Sequence, residues 1–345
     1  MLLRKMEANE LASWADGSRI SAPARRVAER FARFREPGND AYFHALAEHL
    51  ASLVEHPCLP MYFEYAITAN ARGRAAVERL SRETGIGGTR GLFGRRRRVL
   101  DVGCAYGGFL VAFAEKGARV TGMEINELLL RLAVINLRAS GVDADLVKGD
   151  TTAEHSGFRD RFDVITANDV VEHVPRLESF LRNLRDWLTP SGVSYLEIPN
   201  GAYPPFVLKD GHHQLFGITL LDFEEASSYY NRLYPHGAGY DTFNYLDLPG
   251  YQRVFASSGL SLTLLPETLA QASVDGVLQQ LVELEAGLEA GLETVPVELR
   301  PLVRERVAAY LARVEAAPRE SADDREKFLL DYGVSFWVVL ARRTA

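Results

Sequence analysis

Val99-Leu-Asp-Val-Gly-Cys-Ala-Tyr-Gly-Gly108 decides the fold. An apolar run of strand length ends in a turn of small residues and opens into the apolar stretch from Phe109. A strand, a tight turn and a helix follow one another in this way in a parallel α/β sheet. Gly103 and Gly107 let the backbone turn sharply and bring its amides close to a ligand, at a helix N-terminus with partial positive charge. The turn alone does not identify that ligand, because nicotinamide enzymes place Gly-x-Gly-x-x-Gly at the same position. Here the spacing is Gly-x-x-x-Gly, and Asp101 stands two residues before the first glycine. A carboxylate there repels a pyrophosphate and suits a cation.

Working outward, short apolar runs at 98–102, 118–123, 144–148, 162–167 and 193–198 read as strands. Helical patterns fill the gaps at Phe109–Lys116, Asn126–Ser140 and Leu177–Leu188, the last stopped by Thr189-Pro-Ser-Gly192. This alternation predicts a doubly wound α/β domain. After Pro199 the regularity stops for about fifty residues, and six of the fourteen tyrosines fall between Tyr229 and Tyr251. So long a loop reads as a lid or binding segment. A helix near 249–258 and a strand at Leu260–Leu265 resume the pattern, and Val334–Leu340 reads as the final strand.

Two helical regions flank this core. Val27, Phe31 and Phe34, then Leu46, His49, Leu50 and Leu53, recur at helical spacing within 23–83, and Gly85–Gly94 spends five glycines in ten residues as a linker. Within Met61-Tyr-Phe-Glu-Tyr65 the aromatic residues read as helix core, with a cover over the bound ligand as part of the cap the alternative. Residues 274–316 carry an apolar stripe from Val274 to Leu292 and from Leu302 to Val314. The stripe needs cover; packing within the chain is the first expectation and a homodimer through this helical insertion the alternative. The expected organisation is a helical cap (1–90), a ligand-binding core (91–200), a lid insertion (201–248) and core completion (249–345) with a helical insertion at 266–330.

Composition narrows the function. Net charge is −7, with 17 Lys+Arg against 11 Asp+Glu in residues 1–99 and 22 against 35 in residues 100–345. The acidic bulk disfavours nucleic acid, because releasing counterions from phosphates needs clustered basic residues. The cluster Arg95–Arg98 directly precedes the first strand and reads as its solvated start. No run approaches the roughly 18 apolar residues of a membrane span. Arg4, Lys5, Glu7 and Glu10 stand where a signal peptide needs an apolar core, so a cytoplasmic protein is expected. Cys58 and Cys104 form no disulfide or zinc pattern.

The turn resembles the first motif of the class I S-adenosylmethionine-dependent methyltransferases, acid-x-Gly-x-Gly-x-Gly. This chain reads Asp101-Val-Gly103-Cys-Ala105-Tyr-Gly107, with Ala105 in place of the middle glycine. The resemblance implies a Rossmann-like seven-stranded sheet whose last strand is antiparallel, and S-adenosylmethionine as cofactor, released as S-adenosylhomocysteine. It also implies that Glu124, twenty-one residues after Gly103, meets the ribose hydroxyls, that Asp150 meets the adenine amino group, and that Asn168 lies near the methionine part. Cys104, Ile125 and Thr151 stand in the same cofactor-binding turns, Cys104 as an inert thiol.

The reacting groups are less defined. Asp169-Val-Val-Glu-His173 follows the fourth strand, and some relatives with such an acid-x-x-Glu-His pattern, as in the ubiquinone-pathway O-methyltransferases, hold a divalent ion there. On a helix, residues 169, 172 and 173 share one face. Helix-start acids favoured by the macrodipole are preferred here over a metal. His173 is one candidate base. In Asp210-Gly-His-His213, His212 is the first choice for taking a proton from the acceptor and His213 the second. Tyr229, Tyr230, Tyr234, Tyr240 and Tyr245 are candidate walls of an aromatic acceptor pocket. The leading expectation is methyl transfer to an oxygen or nitrogen of a small molecule, a natural product or other secondary metabolite among them. An RNA methyltransferase, a non-catalytic S-adenosylmethionine-binding protein and an NAD-dependent protein are the rivals.

Overall fold

The computed structural model describes residues 8–36, 38–56, 58–85, 96–237 and 239–344. The amino-terminal segment forms α1 (Ala8–Ala15), α2 (Ala22–Arg30), α3 (Asp40–His49), α4 (Leu59–Ile67) and α5 (Ala69–Thr84). Ser21 caps α2 by accepting from the Ala24 amide. The apolar spacing read in the sequence becomes one core, with Val27, Phe31, Phe43, Leu46, Leu59 and Phe63 buried together and Phe31 stacked on Phe63 at 4.3 Å. Most of the linker (86–95), the boundary expected within it, and the first seven residues lie outside the described residues.

The sheet follows: β1 (Arg98–Val102), α6 (Gly108–Glu115), β2 (Arg119–Glu124), α7 (Glu127–Ala139), β3 (Asp145–Lys148), β4 (Phe162–Asn168), α8 (Leu177–Trp187) and β5 (Leu188–Pro199). Next come α9 (Pro204–Leu208), α10 (Phe223–Leu233), α11 (Leu248–Ser257), β6 (Leu260–Leu264), α12 (Val274–Thr294), α13 (Arg300–Ala316), α14 (Ala322–Phe328) and β7 (Phe336–Arg343). Strand order is β3-β2-β1-β4-β5-β7-β6. β1 pairs in parallel with β2 (Val99 opposite Val120) and with β4 (Val99 opposite Val164), while β7 runs antiparallel to β6 (Val339 opposite Leu264). The strand order therefore reverses at β1, and the turn at 103–107 leaves the carboxyl end of that strand, where open α/β sheets bind ligands.

Two compact units divide the chain: residues 1–167 with 182–195, and residues 168–181 with 196–345. In the first, α5 lies directly on α6. A methyl on Gly108 would sit 2.2 Å from the Ala69 carbonyl oxygen, and one on Gly73 would sit 2.4 Å from that of Gly108, so both positions need glycine for the backbones to approach. In the second, the stripe of α12 and α13 is covered by its own chain: Val277, Leu281, Leu284, Leu292, Val303, Val307, Tyr310 and Val314 pack with Val207, Phe216 and Phe328. Among the described residues no helix is long and apolar enough to cross a membrane.

Three local readings change. Residues 223–233, expected as irregular, form α10, started by a capping box in which Asp222 and Glu225 satisfy each other's amides. Thr189–Gly192, read as a helix stop, lies inside β5, because α8 already ends at Trp187. Asp169, Glu172 and His173 do not share a helix face: Asp169 has a left-handed backbone (φ 53°), and Val171–His173 make a single 3-10 turn before α8. Arg98 is a strand residue whose amide and guanidinium both meet Asp163.

Candidate active site

In the first unit the turn after β1 is held by the carboxylate that ends β2. Gly103 (φ 63°), Ala105 (φ 40°) and Gly107 (φ 77°) all take the left-handed conformation that glycine adopts most readily. Ala105 bears a methyl there, and its amide is anchored by donating to Glu124 Oε2 at 3.0 Å. Glu124 Oε1 accepts from the Asn126 amide at 2.8 Å, so the buried side chain is fixed at both oxygens. Asp101, also buried, accepts from Thr166 Oγ1 at 2.6 Å. Burial pushes its carboxyl up to about 7; the Thr166 bond works against the rise and nearby Glu124 adds to it. Cys104 is buried, and burial with these two carboxylates raises its thiol well above the ordinary range.

The neighbouring positions are also tied down. Asp150 Oδ1 accepts from the Thr152 amide (2.7 Å) and hydroxyl (2.8 Å), and the Thr151 carbonyl accepts from Asn183 Nδ2 at 2.8 Å. Ile125 is 65% exposed, unusual for an isoleucine at a strand end. Asn168, with which the second unit begins, ends β4 with its side-chain oxygen buried and without a hydrogen-bond partner.

Sequence reasoning missed two contributors to the first unit. Asn136 of α7 donates to the Tyr106 carbonyl (2.7 Å) and exchanges amide hydrogen bonds with Asn70 of α5, locking the turn to both helices. Arg72 of α5 stacks on Tyr65, its guanidinium carbon 3.6 Å from the ring centroid, and its buried Nε has no hydrogen-bond partner. Its charge reaches Tyr106 in the turn. Nothing in a helix with several arginines marks this one.

The second unit gathers all three candidate histidines. Glu172 is fully buried, and neither carboxylate oxygen has a hydrogen-bond partner. His212 Nε2 stands 3.5 Å and His173 Nε2 3.8 Å from Glu172 Oε1. His173 Nδ1 donates to the Asp241 carbonyl at 3.0 Å, and a carbonyl can only accept, so Nε2 is the nitrogen left with a lone pair in the neutral ring. His212 Nδ1 meets the Tyr245 hydroxyl at 3.0 Å. Burial would lower His212, but Glu172 overrides it, with Asp210 and Asp169 adding to the rise, and the imidazole is pushed up to about 9. His213 Nε2 lies 3.6 Å from Asp241 Oδ1, with its ring edge on Tyr230 at 4.7 Å. Burial works to raise the Asp241 carboxyl, yet His213, His173 and His212 together hold it below the usual carboxylate range.

The backbone explains why these residues meet. Buried Asp210 accepts the amides of His212, His213 and Leu215, folding the loop after α9 around one carboxylate. The segment before α11 is clasped to the 3-10 turn: the Glu172 carbonyl accepts from the Phe243 and Asn244 amides, and Asn244 Nδ2 donates to the Val171 and Val174 carbonyls. Of the tyrosines expected to wall a pocket, Tyr229 is core, Tyr230 and Tyr234 pack on each other, and Tyr245 serves His212. Glu172, His173 and His212 turn ligand-capable atoms to within 4.8 Å of one another, a set that could hold a divalent ion, with His212 standing where the sequence suggested Asp169.

A family model described as a methyltransferase domain matches residues 62–264, more than half of the chain. A ubiquinone biosynthesis O-methyltransferase of Shewanella pealeana is 32% identical over 110 residues, covering 32% of this chain and 46% of the relative. One from Escherichia coli is 36% identical over 111 residues, covering 32% and 45%. The chain thus spans about half the length of the curated relatives it matches. Among solved structures, a Burkholderia thailandensis 1,6-didemethyltoxoflavin N1-methyltransferase with bound S-adenosylhomocysteine is 15% identical, with a TM-score of 0.41 over 80% of each chain. By its strand order, its acid-led turn and the match of the family model, the chain belongs to the class I S-adenosylmethionine-dependent methyltransferases.

Proposed function

We propose that this chain transfers the methyl group of S-adenosylmethionine to an oxygen or nitrogen of a small-molecule acceptor in the cytoplasm. The observation that carries the reading is the pair of buried carboxylates, Asp101 and Glu124, held rigidly at the turn after β1. The charge on Glu124, joined by that on Asp101 to the extent that its carboxyl, pushed up to about 7, is ionised, favours a sulfonium and opposes a pyrophosphate. When bound, the cofactor supplies a methyl already activated on sulfur, so alignment and a deprotonated nucleophile are what the protein must add. Glu124 keeps a second lone pair on each oxygen for the ribose hydroxyls, Ile125 offers apolar surface, and Asp150 with Thr151 borders the adenine. Gly103, Cys104, Ala105 and Gly107 line the approach, and Arg72 is suited to the carboxylate of the cofactor's amino-acid end.

The proton is assigned to His173 Nε2, with Glu172 stabilising the imidazolium that forms. His212, already protonated at neutral pH, is better suited to holding an anionic acceptor oxygen than to taking a proton, and His213 with Tyr230 supports the acceptor's ring or chain. Titration with S-adenosylhomocysteine and with NADH tests the first half of the reading. Tight adenosylhomocysteine binding, weakened about tenfold by Glu124→Gln from the loss of a charged acceptor, is expected; preferential NADH binding overturns it. Turnover assayed by adenosylhomocysteine release on a panel of phenols, alcohols and amines tests the second. His173→Gln should lower kcat by about a hundredfold with cofactor affinity intact.

A second reading places a divalent ion among Glu172, His173 and His212, favoured by the two unsatisfied oxygens of a fully buried carboxylate. One bound metal per chain by elemental analysis, with a fall in melting temperature on chelation, would replace the proton assignment. RNA is disfavoured by the acidic bulk, and the absence of a gel shift at physiological salt is expected.

A further inference from the structure

We infer that Tyr245 is a positioning residue that orients the His212 ring so that Nε2, and not Nδ1, faces Glu172. The Tyr245 hydroxyl lies 3.0 Å from His212 Nδ1 while Glu172 Oε1 lies 3.5 Å from Nε2, so each ring nitrogen has its own partner on an opposite edge. An ionised carboxylate only accepts, which requires hydrogen on Nε2 of the neutral ring, and Nδ1 must then accept from the tyrosine O–H. When the ring is charged, the hydroxyl rotates and accepts from Nδ1–H instead. A tyrosine hydroxyl is both donor and acceptor, so the same oxygen can play both parts.

Gly201 provides an independent sign that the ring is held in place. Its backbone does not require glycine, since it is not among the residues with positive φ. The requirement is steric: a Cβ there would stand 2.9 Å from Tyr245 Cγ and Cδ1 and 3.1 Å from its Cβ. The tyrosine ring thus lies on bare backbone just after β5. Its other flank is fixed by the clasp of Phe243 and Asn244 on the Glu172 turn, with the Tyr251 hydroxyl donating to the Asn244 carbonyl at 2.7 Å. The turn bearing Glu172 and His173, the clasp and His212 therefore form one rigid assembly in which Tyr245 is the contact that sets the ring. This holds whether a proton or a metal neutralises Glu172, because in both cases Nε2 is the nitrogen presented.

The consequence for turnover rests on the acceptor-site reading above, but the ring geometry does not, and it can be read without any substrate. Nitrogen-15 spectra of the His212 ring in chelator-treated protein, recorded above pH 9 where the imidazole is neutral, should give two distinct, fixed nitrogen shifts in the wild type. Tyr245→Phe and Gly201→Ala should both average them, and Tyr251→Phe, which loosens the clasp but keeps the Tyr245 hydroxyl, should not. Unchanged His212 shifts in both Tyr245→Phe and Gly201→Ala, in protein that still binds adenosylhomocysteine, would overturn the inference. In an active preparation Tyr245→Phe should lower kcat about tenfold, the usual scale for losing an orienting partner, with cofactor affinity unchanged. Full kcat alongside averaged shifts would overturn the functional half alone. Failure of all turnover with normal spectra would instead count against the proposed reaction.

Discussion

Asp101 shows how a single side chain can oppose stability for the sake of a ligand. Its carboxyl rises from 3.8 to about 7 on burial. The folded state therefore holds this proton more tightly than the unfolded chain, and the associated stability is fully present below about pH 4 and lost as pH rises through 7. Asp101→Asn keeps an oxygen for the Thr166 hydroxyl and removes the titration. Without cofactor, the variant should melt higher than wild type at pH 8, with the difference vanishing toward pH 4. Its affinity for the cationic cofactor should fall. Equal melting curves at both pH values would show that the charge is solvated. This residue was legible in the sequence because the motif is contiguous. The histidine cluster was legible only as candidates: its geometry joins residues 172, 212, 241 and 245, and no local spacing encodes that meeting. The left-handed backbone at Asp169 likewise has no clear signature and broke the helix-face reading.

Among elements, α12 shows how a segment beyond the family match governs the site. A Cβ on Gly291 would stand 2.4 Å from the Phe216 ring, and one on Gly287 would stand 2.9 Å from Leu208. Leu208 and Phe216 bracket the loop that carries His212 and His213, so the two glycines are the seat on which that loop rests. Gly291→Val should displace Phe216, lowering stability by about 1–3 kcal/mol as overpacking does and raising the acceptor KM, while adenosylhomocysteine affinity holds. A calorimetric scan and a KM comparison check this. The apolar stripe of α12 and α13 was readable from its period, but not what covers it: packing within the chain, which buries most of the stripe, was one of two expectations, and Leu278 stays exposed. The helix α10 was overlooked because the tyrosines drew attention from its start signal, Asp222 with Glu225 three residues on.

Over the whole molecule, the chain passes between its two compact units at three places, after residues 167, 181 and 195. Neither unit is a continuous stretch, so the stretch matched by the family model is not an independent folding piece. A fragment of residues 62–264 would lose β7, the antiparallel partner of β6, the cover of α12 and α13, and the Phe31 and Phe43 side of the amino-terminal core. It should express as insoluble or molten protein, with poor amide dispersion and no cooperative melt, whereas the full chain should melt cooperatively. A well-dispersed spectrum from the fragment would contradict this. All seven strands were legible in place because each carries a short apolar run bounded by turn residues, although β5 extends to twelve residues and only its second half was read. The interleaving of units was not, since it depends on which segments meet after the strands have formed.

The methyl of Ala105 leaves one lasting opportunity. A side chain in the left-handed region costs on the order of 1–2 kcal/mol, and here it does so at φ 40° within the turn after β1. Replacement by glycine relaxes that backbone while keeping the amide that Glu124 holds. Engineers seeking a heat-tolerant catalyst usually avoid the loops that grip a ligand, yet in this chain such a loop offers strain relief in one nucleotide-scale edit.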